Sequence, residues 1–292
     1  KQLGLGRKDL TLALDWMYDT FQDAPILGSL LNPIKTDAAK IVRWDELSSA
    51  LEQALGQEQS EEKQEAAVVA HGLTKTAILL AGQYQWIITN VPYLGRSNQC
   101  EQLRNFSERH YQDAKNDLAN VFLDRCLELC GTNGTTSCVM PQNWLFQPRY
   151  RRFREKLLRN DTWNLIARLG SGAFETISGE VVKAILITLS RSDASGQYDG
   201  LFSKSGALSL IRGVDVTNRQ TAAQKATWLL KAKIKSVEQM KQLENPDARV
   251  VLENMDSVSL LRGHAVSIQG LATSDDPQFA FLFWELPHLD GG

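Results

Sequence analysis

Trp86-Ile87-Ile88-Thr89-Asn90-Val91-Pro92-Tyr93 decides how this chain is read. Its first four residues form a short buried-strand run, and the turn that follows ends it, because proline lacks an amide hydrogen and fixes its own φ. Downstream, Leu118, Val121, Phe122, Cys126 and Leu129 fall at helical spacing and predict a helix of about five turns, with Gly131 and Gly134 as its stop and turn. Ser137–Met140 reads as a second strand closed by Pro141, Tyr150–Arg159 as a basic helix, and Leu165–Leu169 and Val181–Leu189 as two further strands. Strands alternating with helices predict an α/β sheet, parallel in its core. Ligands of such sheets bind beyond the carboxyl ends of the strands, where Asn90–Tyr93 stand.

Upstream the pattern is helical. Leu10, Leu14, Met17 and Phe21 make one apolar stripe that Asp9 is placed to cap, and Gly28 and Pro33 break it. A second helix starts near Asp45 and runs into the Glu/Gln-rich stretch Glu52–Glu65, which reads as a solvated face or connector. After Arg191 a turn-rich break (Ser192, Asp193, Ser195, Gly196) marks a candidate domain boundary. Beyond it Ala222–Leu243 reads as a helix with Trp228, Leu229 and Ile234 inward, and Val266–Ile268 and Phe279–Trp284 as strands. Three segments result: helical 1–82, α/β 83–191, and 192–292.

Composition narrows the classes. In 292 residues, 32 Lys+Arg against 34 Asp+Glu leave a net charge of −2, which argues against a uniformly basic nucleic-acid coat but permits a local basic patch. Charged residues at 23% and aromatics at 8% match a soluble, cytoplasmic globular chain, and no apolar run approaches the roughly 20 residues of a membrane helix. Cys100, Cys126, Cys130 and Cys138 lack a histidine at ligand spacing and are expected to be buried free thiols, with no metal site. The six cations Arg149, Arg151, Arg152, Arg154, Lys156 and Arg159 against Glu155 leave two readings. Either Arg151, Arg154 and with them Arg149 contact DNA phosphates, or the helix is solvated, with Phe153, Leu157 and Leu158 inward. Lys225, Lys231, Lys233, Lys235 and Lys241 form a second basic zone with the same two readings.

Asn90-Val91-Pro92-Tyr93 resembles the Asn-Pro-Pro-Tyr motif of DNA adenine-N6 methyltransferases of the γ order, in the subgroup fused to restriction enzymes (type IIG) or found in phage-exclusion systems. The series around it matches too: Asp117-Leu118 leading into an apolar helix, Val139-Met140-Pro141-Gln142-Asn143, a basic helix, and Leu169 to Phe174 before a Val-rich strand. It extends to Gly270–Asp276, Phe279 and Phe283-Trp284-Glu285, which resemble the opening of the target-recognition region. The resemblance implies part of an S-adenosylmethionine-dependent methyltransferase fold with the start of a target-recognition domain. It implies methyl transfer from S-adenosylmethionine to a flipped adenine in duplex DNA, in restriction–modification or phage defence.

The adenine amine is a poor nucleophile because its lone pair is delocalised into the ring, so two acceptors aimed at its N–H bonds favour an electron-rich, pyramidal nitrogen. The resemblance assigns these acceptors to the Asn90 side-chain oxygen and the Val91 carbonyl, with Pro92 holding the turn and Tyr93 stacking on the flipped base. Val91 departs from the family's proline: the carbonyl is kept and the fixed φ is lost. Phe174 stands either at a second aromatic position beside the base or in the core. Leu169-Gly170-Ser171-Gly172 looks like a glycine-rich cofactor loop but lies after the Asn90 motif, and it is assigned to the segment carrying Phe174. With no cofactor loop identified, the chain is expected to be an internal portion of a longer protein, binding S-adenosylmethionine weakly or not at all. Two rivals stay open. One is a DNA reader of the same fold without activity, and the other a methyltransferase for a protein glutamine or an RNA base.

Overall fold

A computed structural model of the chain describes residue 15 and residues 18–35, 61–174, 182–192 and 209–253. The expectations at Asp9–Met17, Asp45–Ser60, Val181, Asp193–Gly196 and Asn254 onward lie outside them. The elements run α1 (Ala24–Leu27), α2 (Glu61–Ala81), β1 (Tyr84–Asn90), α3 (Glu101–His110), α4 (Leu118–Leu129), β2 (Cys130–Pro141), α5 (Arg151–Asn160), β3 (Asp161–Gly170), β4 (Ala184–Arg191), β5 (Leu210–Asp215), α6 (Ala222–Leu229) and β6 (Lys235–Glu238). No helix among the described residues is long and apolar enough to cross a membrane.

The α/β class holds. The sheet is ordered β1-β2-β4-β3-β5-β6. β1 and β2 run parallel, as do β3 and β5. β4 lies antiparallel between β2 and β3, and β6 pairs antiparallel with β5. The expected parallel core is thus present as two parallel pairs on either side of an inserted reversed strand. α4 spans 12 residues, fewer than five turns, and passes into β2 at Cys130. Gly131 and Gly134 therefore sit at the start of the strand rather than in a turn after the helix. A Cβ on Gly134 would lie 2.7 Å from the Tyr84 carbonyl oxygen, so its hydrogen side chain permits the close approach where the β1–β2 register shifts.

The main core gathers Val121, Leu123 and Leu127 of α4, Met140, Trp144, Phe153, Leu157, Trp163, Ile166 and Ile187. Trp144 packs on Phe153 at 5.5 Å and on Trp163 at 5.7 Å between ring centroids. Phe21, Leu27, Leu30 and Leu31 join it from the N-terminal side. Polar staples fix that segment. The buried Arg125 donates to the carbonyls of Ser29 (3.2 Å), Leu31 (2.8 Å) and Leu80 (2.8 Å). Glu128 accepts from Asn32 at 3.2 Å and from the Tyr111 hydroxyl at 3.1 Å, and it pairs with Lys35.

The candidate boundary after Arg191 is not a division between compact units, because the unit runs on to Glu253. The reason is hydrogen bonding across the presumed break. Besides the β3–β5 ladder, the fully buried Gln239 accepts from the Trp163 amide at 3.0 Å and donates to the carbonyls of Leu158 (2.8 Å) and Asp161 (2.7 Å). The predicted helix Ala222–Leu243 stops at Leu229, since Lys235–Glu238 is drawn into a strand on β5. Leu229 packs inward, whereas Ile234 is exposed and Trp228 lies under the Arg219 guanidinium, 3.7 Å from its ring centroid. Cys126, Cys130 and Cys138 are buried free thiols as expected, but Cys100, just before α3, is exposed.

Asp161, buried where α5 passes into β3, has its carboxyl pushed up to about 7 by burial and by Asp124, against the opposing pull of Lys156 and Arg191. A carboxyl whose pKa is raised on folding binds more protons in the native state, so stability falls as pH rises from about 4 towards 7 and is level above that. Asp161→Asn should therefore raise the unfolding free energy from urea titration at pH 8 by on the order of 2–4 kcal/mol and leave it nearly unchanged at pH 4. Equal effects at the two pH values would contradict this account.

Candidate active site

β1 delivers the motif to the carboxyl end of the sheet, with Asn90 opposite Val139 of β2. Side chains alternate along the strand: Ile87 packs on the core, while Trp86 and Ile88 are 67% and 78% exposed. The expected fully buried run is therefore buried on one face only, and no described element covers the other. Asn90 shares that open face. Its carboxamide is exposed and has no hydrogen-bond partner among the described residues.

Val91 is buried against the main core, and Pro92 is exposed. Burial of the Val91 side chain anchors the turn where a proline ring would restrict it covalently. Tyr93 is half-buried against the same core, and its hydroxyl is enclosed without a hydrogen-bond partner. Burial, reinforced by the Asp117 carboxylate, pushes the phenol up to about 12, so it is neutral throughout the physiological range.

The chain after Tyr93 is clasped by the entry to α4. Leu118 N–H donates to the Leu94 carbonyl at 3.0 Å, Arg96 N–H to the Asn116 carbonyl at 3.1 Å, and Gly95 bridges Asp117. Asp117 also caps α4, its side chain accepting from the Ala119 amide at 3.0 Å. Burial raises its carboxyl, with the hydrogen bonds from Ala119 and Leu94 and the nearby Arg149 pulling the other way. The Asp-Leu pair seen in the sequence is thus a helix cap that braces the motif loop.

Phe174 is half-buried in a second, smaller cluster with Ala167, Leu169, Ala184, Val214 and Val216, separate from the core that holds Tyr93. Packing thus accounts for it, and the structure shows no contact between the two rings. Gly170 and Gly172 have φ of +70° and +68°. Their open sides face protein: a Cβ would lie 3.0 Å from Thr217 at Gly170 and 2.5 Å from the Gln220 carbonyl oxygen at Gly172. This turn is packed against the 216–220 loop. Lys225 holds it from below, its ammonium donating to the carbonyls of Leu169 (2.7 Å), Val216 (3.5 Å) and Arg219. Lys225 is therefore buried and leaves the predicted second basic zone.

Two of the three candidate phosphate-binding arginines part company. Arg151 is 59% exposed and pairs with Glu155 at 2.7 Å. Arg154 is fully buried and cannot reach DNA: it donates to the carbonyls of Ala248 (3.0 Å), Gln147 (2.9 Å), Asp247 (2.7 Å) and Trp144. Burial also pulls the guanidinium down to about 10, still charged at neutral pH. The correction has a geometric cause. On α5 the inward stripe of Phe153, Leu157 and Leu158 carries Arg154 with it, one residue along the same face.

Of a basic cluster beside the motif, sequence reading singled out Arg149 and missed Arg96 and Arg104. Arg96 and Arg104 follow Tyr93 within one short polar stretch, and the fold brings Arg149 to them around an open cleft. The signal present in the sequence was two arginines immediately downstream of the tetrapeptide.

Comparison with known proteins identifies the family. Residues 10–174, more than half of the chain, match the model of the Eco57I restriction-modification methylase. The chain is 32% identical over 184 residues to an adenine-specific methyltransferase, BrxX, of Escherichia coli O9:H4 (strain HS), covering 62% of this chain and 15% of that protein. It is 31% identical over 126 residues to the adenine-specific methyltransferase PglX of Lacticaseibacillus casei (strain Zhang), covering 42% of this chain and 10% of that protein. It thus spans a small part of the curated relatives' length. Among solved structures, a DrdV–DNA complex matches 59% of this chain and 19% of its own at 16% identity, with a TM-score of 0.43. With its motif on the carboxyl end of an α/β methyltransferase sheet, the chain belongs to the Eco57I restriction-modification methylase family.

Proposed function

We propose that the protein is a site-specific DNA methyltransferase that transfers a methyl group from S-adenosylmethionine to N6 of a flipped adenine in duplex DNA, in restriction–modification or phage exclusion. The observation that carries this reading is the free, outward carboxamide of Asn90 at the end of β1, in a chain of this family. An exposed amide with no partner among the described residues is a group available to a ligand.

In this reading the Asn90 oxygen and the Val91 carbonyl accept the two N–H bonds of the amine. The buried Val91 side chain and the clasp around Leu94–Arg96 hold them in place before substrate arrives. Tyr93 stacks on the base, worth about 1–3 kcal/mol. Its neutral phenol keeps negative charge away from the amine and from neighbouring phosphates. Arg151 lies along the DNA backbone. S-adenosylmethionine supplies the methyl group when bound, and the glycine turn at Gly170–Gly172, closed by Thr217 and Gln220, is not its seat in this reading. No step is therefore assigned to a donor site here.

The test follows labelled methyl from S-adenosylmethionine into duplex DNA, RNA and a glutamine peptide offered together. Label in N6-methyladenine of the duplex is expected. Label confined to RNA or peptide would redirect the reading to another planar amine or amide, and DNA binding without transfer would make the protein a silent reader of the same fold.

A further inference from the structure

An open cleft of about 810 Å³ begins two residues beyond Tyr93, lined by Arg96, Arg104, Arg149, Asn105, Asn116 and Glu101 among others. Three arginines line it with Glu101, while Glu108 pairs with Arg96 and the Asp117 carboxylate lies near Arg149. Arg104 and Arg149 have no ion-pair partner among the described residues, and Arg149 is held over the Tyr150 ring at 4.9 Å. Arg96 is positioned by Glu108, 2.9 Å away, which is itself shared with Lys115 at 2.6 Å.

Planar guanidinium forks match phosphate geometry, and unpaired ones beside an open cleft are available to bind it. Two residues span at most about 7 Å of chain, so the cleft adjoins the place where Tyr93 would stack on a base. We propose that this cleft seats phosphodiester groups of the DNA strand that carries the target adenine, positioning the strand without reading its sequence. The proposal rests on the DNA methyltransferase reading above and adds to it the surface that grips the backbone.

The test is the salt dependence of binding to a duplex of arbitrary sequence. Each phosphate contact contributes about 0.9 to the slope of log K against log salt. Arg104→Gln combined with Arg149→Gln should lower that slope by about 2 units, while the exposed Arg249→Gln leaves it unchanged. Arg104→Lys with Arg149→Lys keeps the charges and should restore the wild-type slope, which separates lost contacts from a damaged fold. If the wild-type protein binds duplex and neither pair of substitutions alters the slope or the affinity, the cleft proposal is overturned and the methyltransferase reading stands. If the wild-type protein binds no duplex at any salt concentration, both fall together.

Discussion

Asn90→Ala is expected to lower methyl transfer by about 10²–10³-fold, the usual effect of removing one preorganised hydrogen-bonding group from a reacting centre. The same substitution should leave stability within about 0.5 kcal/mol of wild type, because the carboxamide is exposed and satisfies no group among the described residues. Duplex binding should also be nearly unchanged, since phosphate contacts dominate affinity. Single-turnover transfer, a urea titration and duplex binding on the same preparation check all three at once. A variant that loses stability in step with activity would show that Asn90 is structural, and one with undiminished transfer would remove it from the reacting centre.

Arg154→Met is expected to be the most destabilising change discussed, costing about 3–5 kcal/mol, the range for losing one member of a buried, charged hydrogen-bond network. Methionine nearly matches the length of the aliphatic stem. It leaves the carbonyls of Trp144, Gln147, Asp247 and Ala248 without their donor, those of Trp144 and Ala248 in the buried interior. The damage should be regional as well. Arg154 ties α5 to the segment after β6, so residues near Asp247–Leu252 should become the first sites of proteolysis. The urea midpoint and a limited-proteolysis time course test this. A stable variant with a reduced salt slope for DNA binding would reinstate Arg154 as a phosphate contact and refute the structural role.

Much of the fold could be read from local pattern. The strand at Trp86–Thr89, the apolar helix after Asp117, the strand ending at Pro141, the helix with Phe153, Leu157 and Leu158 inward, and the strand through Leu165–Leu169 all stand as predicted. Periodicity and breakers near in sequence report local structure directly. The helix predicted across Ala222–Leu243 failed for the opposite reason. Lys235–Glu238 has no strand pattern of its own, and only the free edge of β5 makes it a strand.

Side-chain roles divided along the same line. Among basic residues, sequence alone could not separate Arg151 from Arg154 or set Lys225 apart from its neighbours. A cation reads as a surface residue until a set of backbone carbonyls converges on it, and those carbonyls come from segments distant in the chain. Val91 shows the complementary case: its identity marks a departure from the motif, while its burial shows how the turn is held without a second proline.

By itself the sequence determined the strand-and-turn chemistry around Asn90, the α/β alternation, and the family to which that ordered series belongs, because each depends on residues close together in the chain. Only the tertiary structure decided which cations are surface and which are internal ties, where the compact unit ends, and that Arg96, Arg104 and Arg149 meet at one cleft. Those outcomes depend on which distant backbone groups are left unsatisfied and which surfaces are left uncovered, and long-range packing sets both.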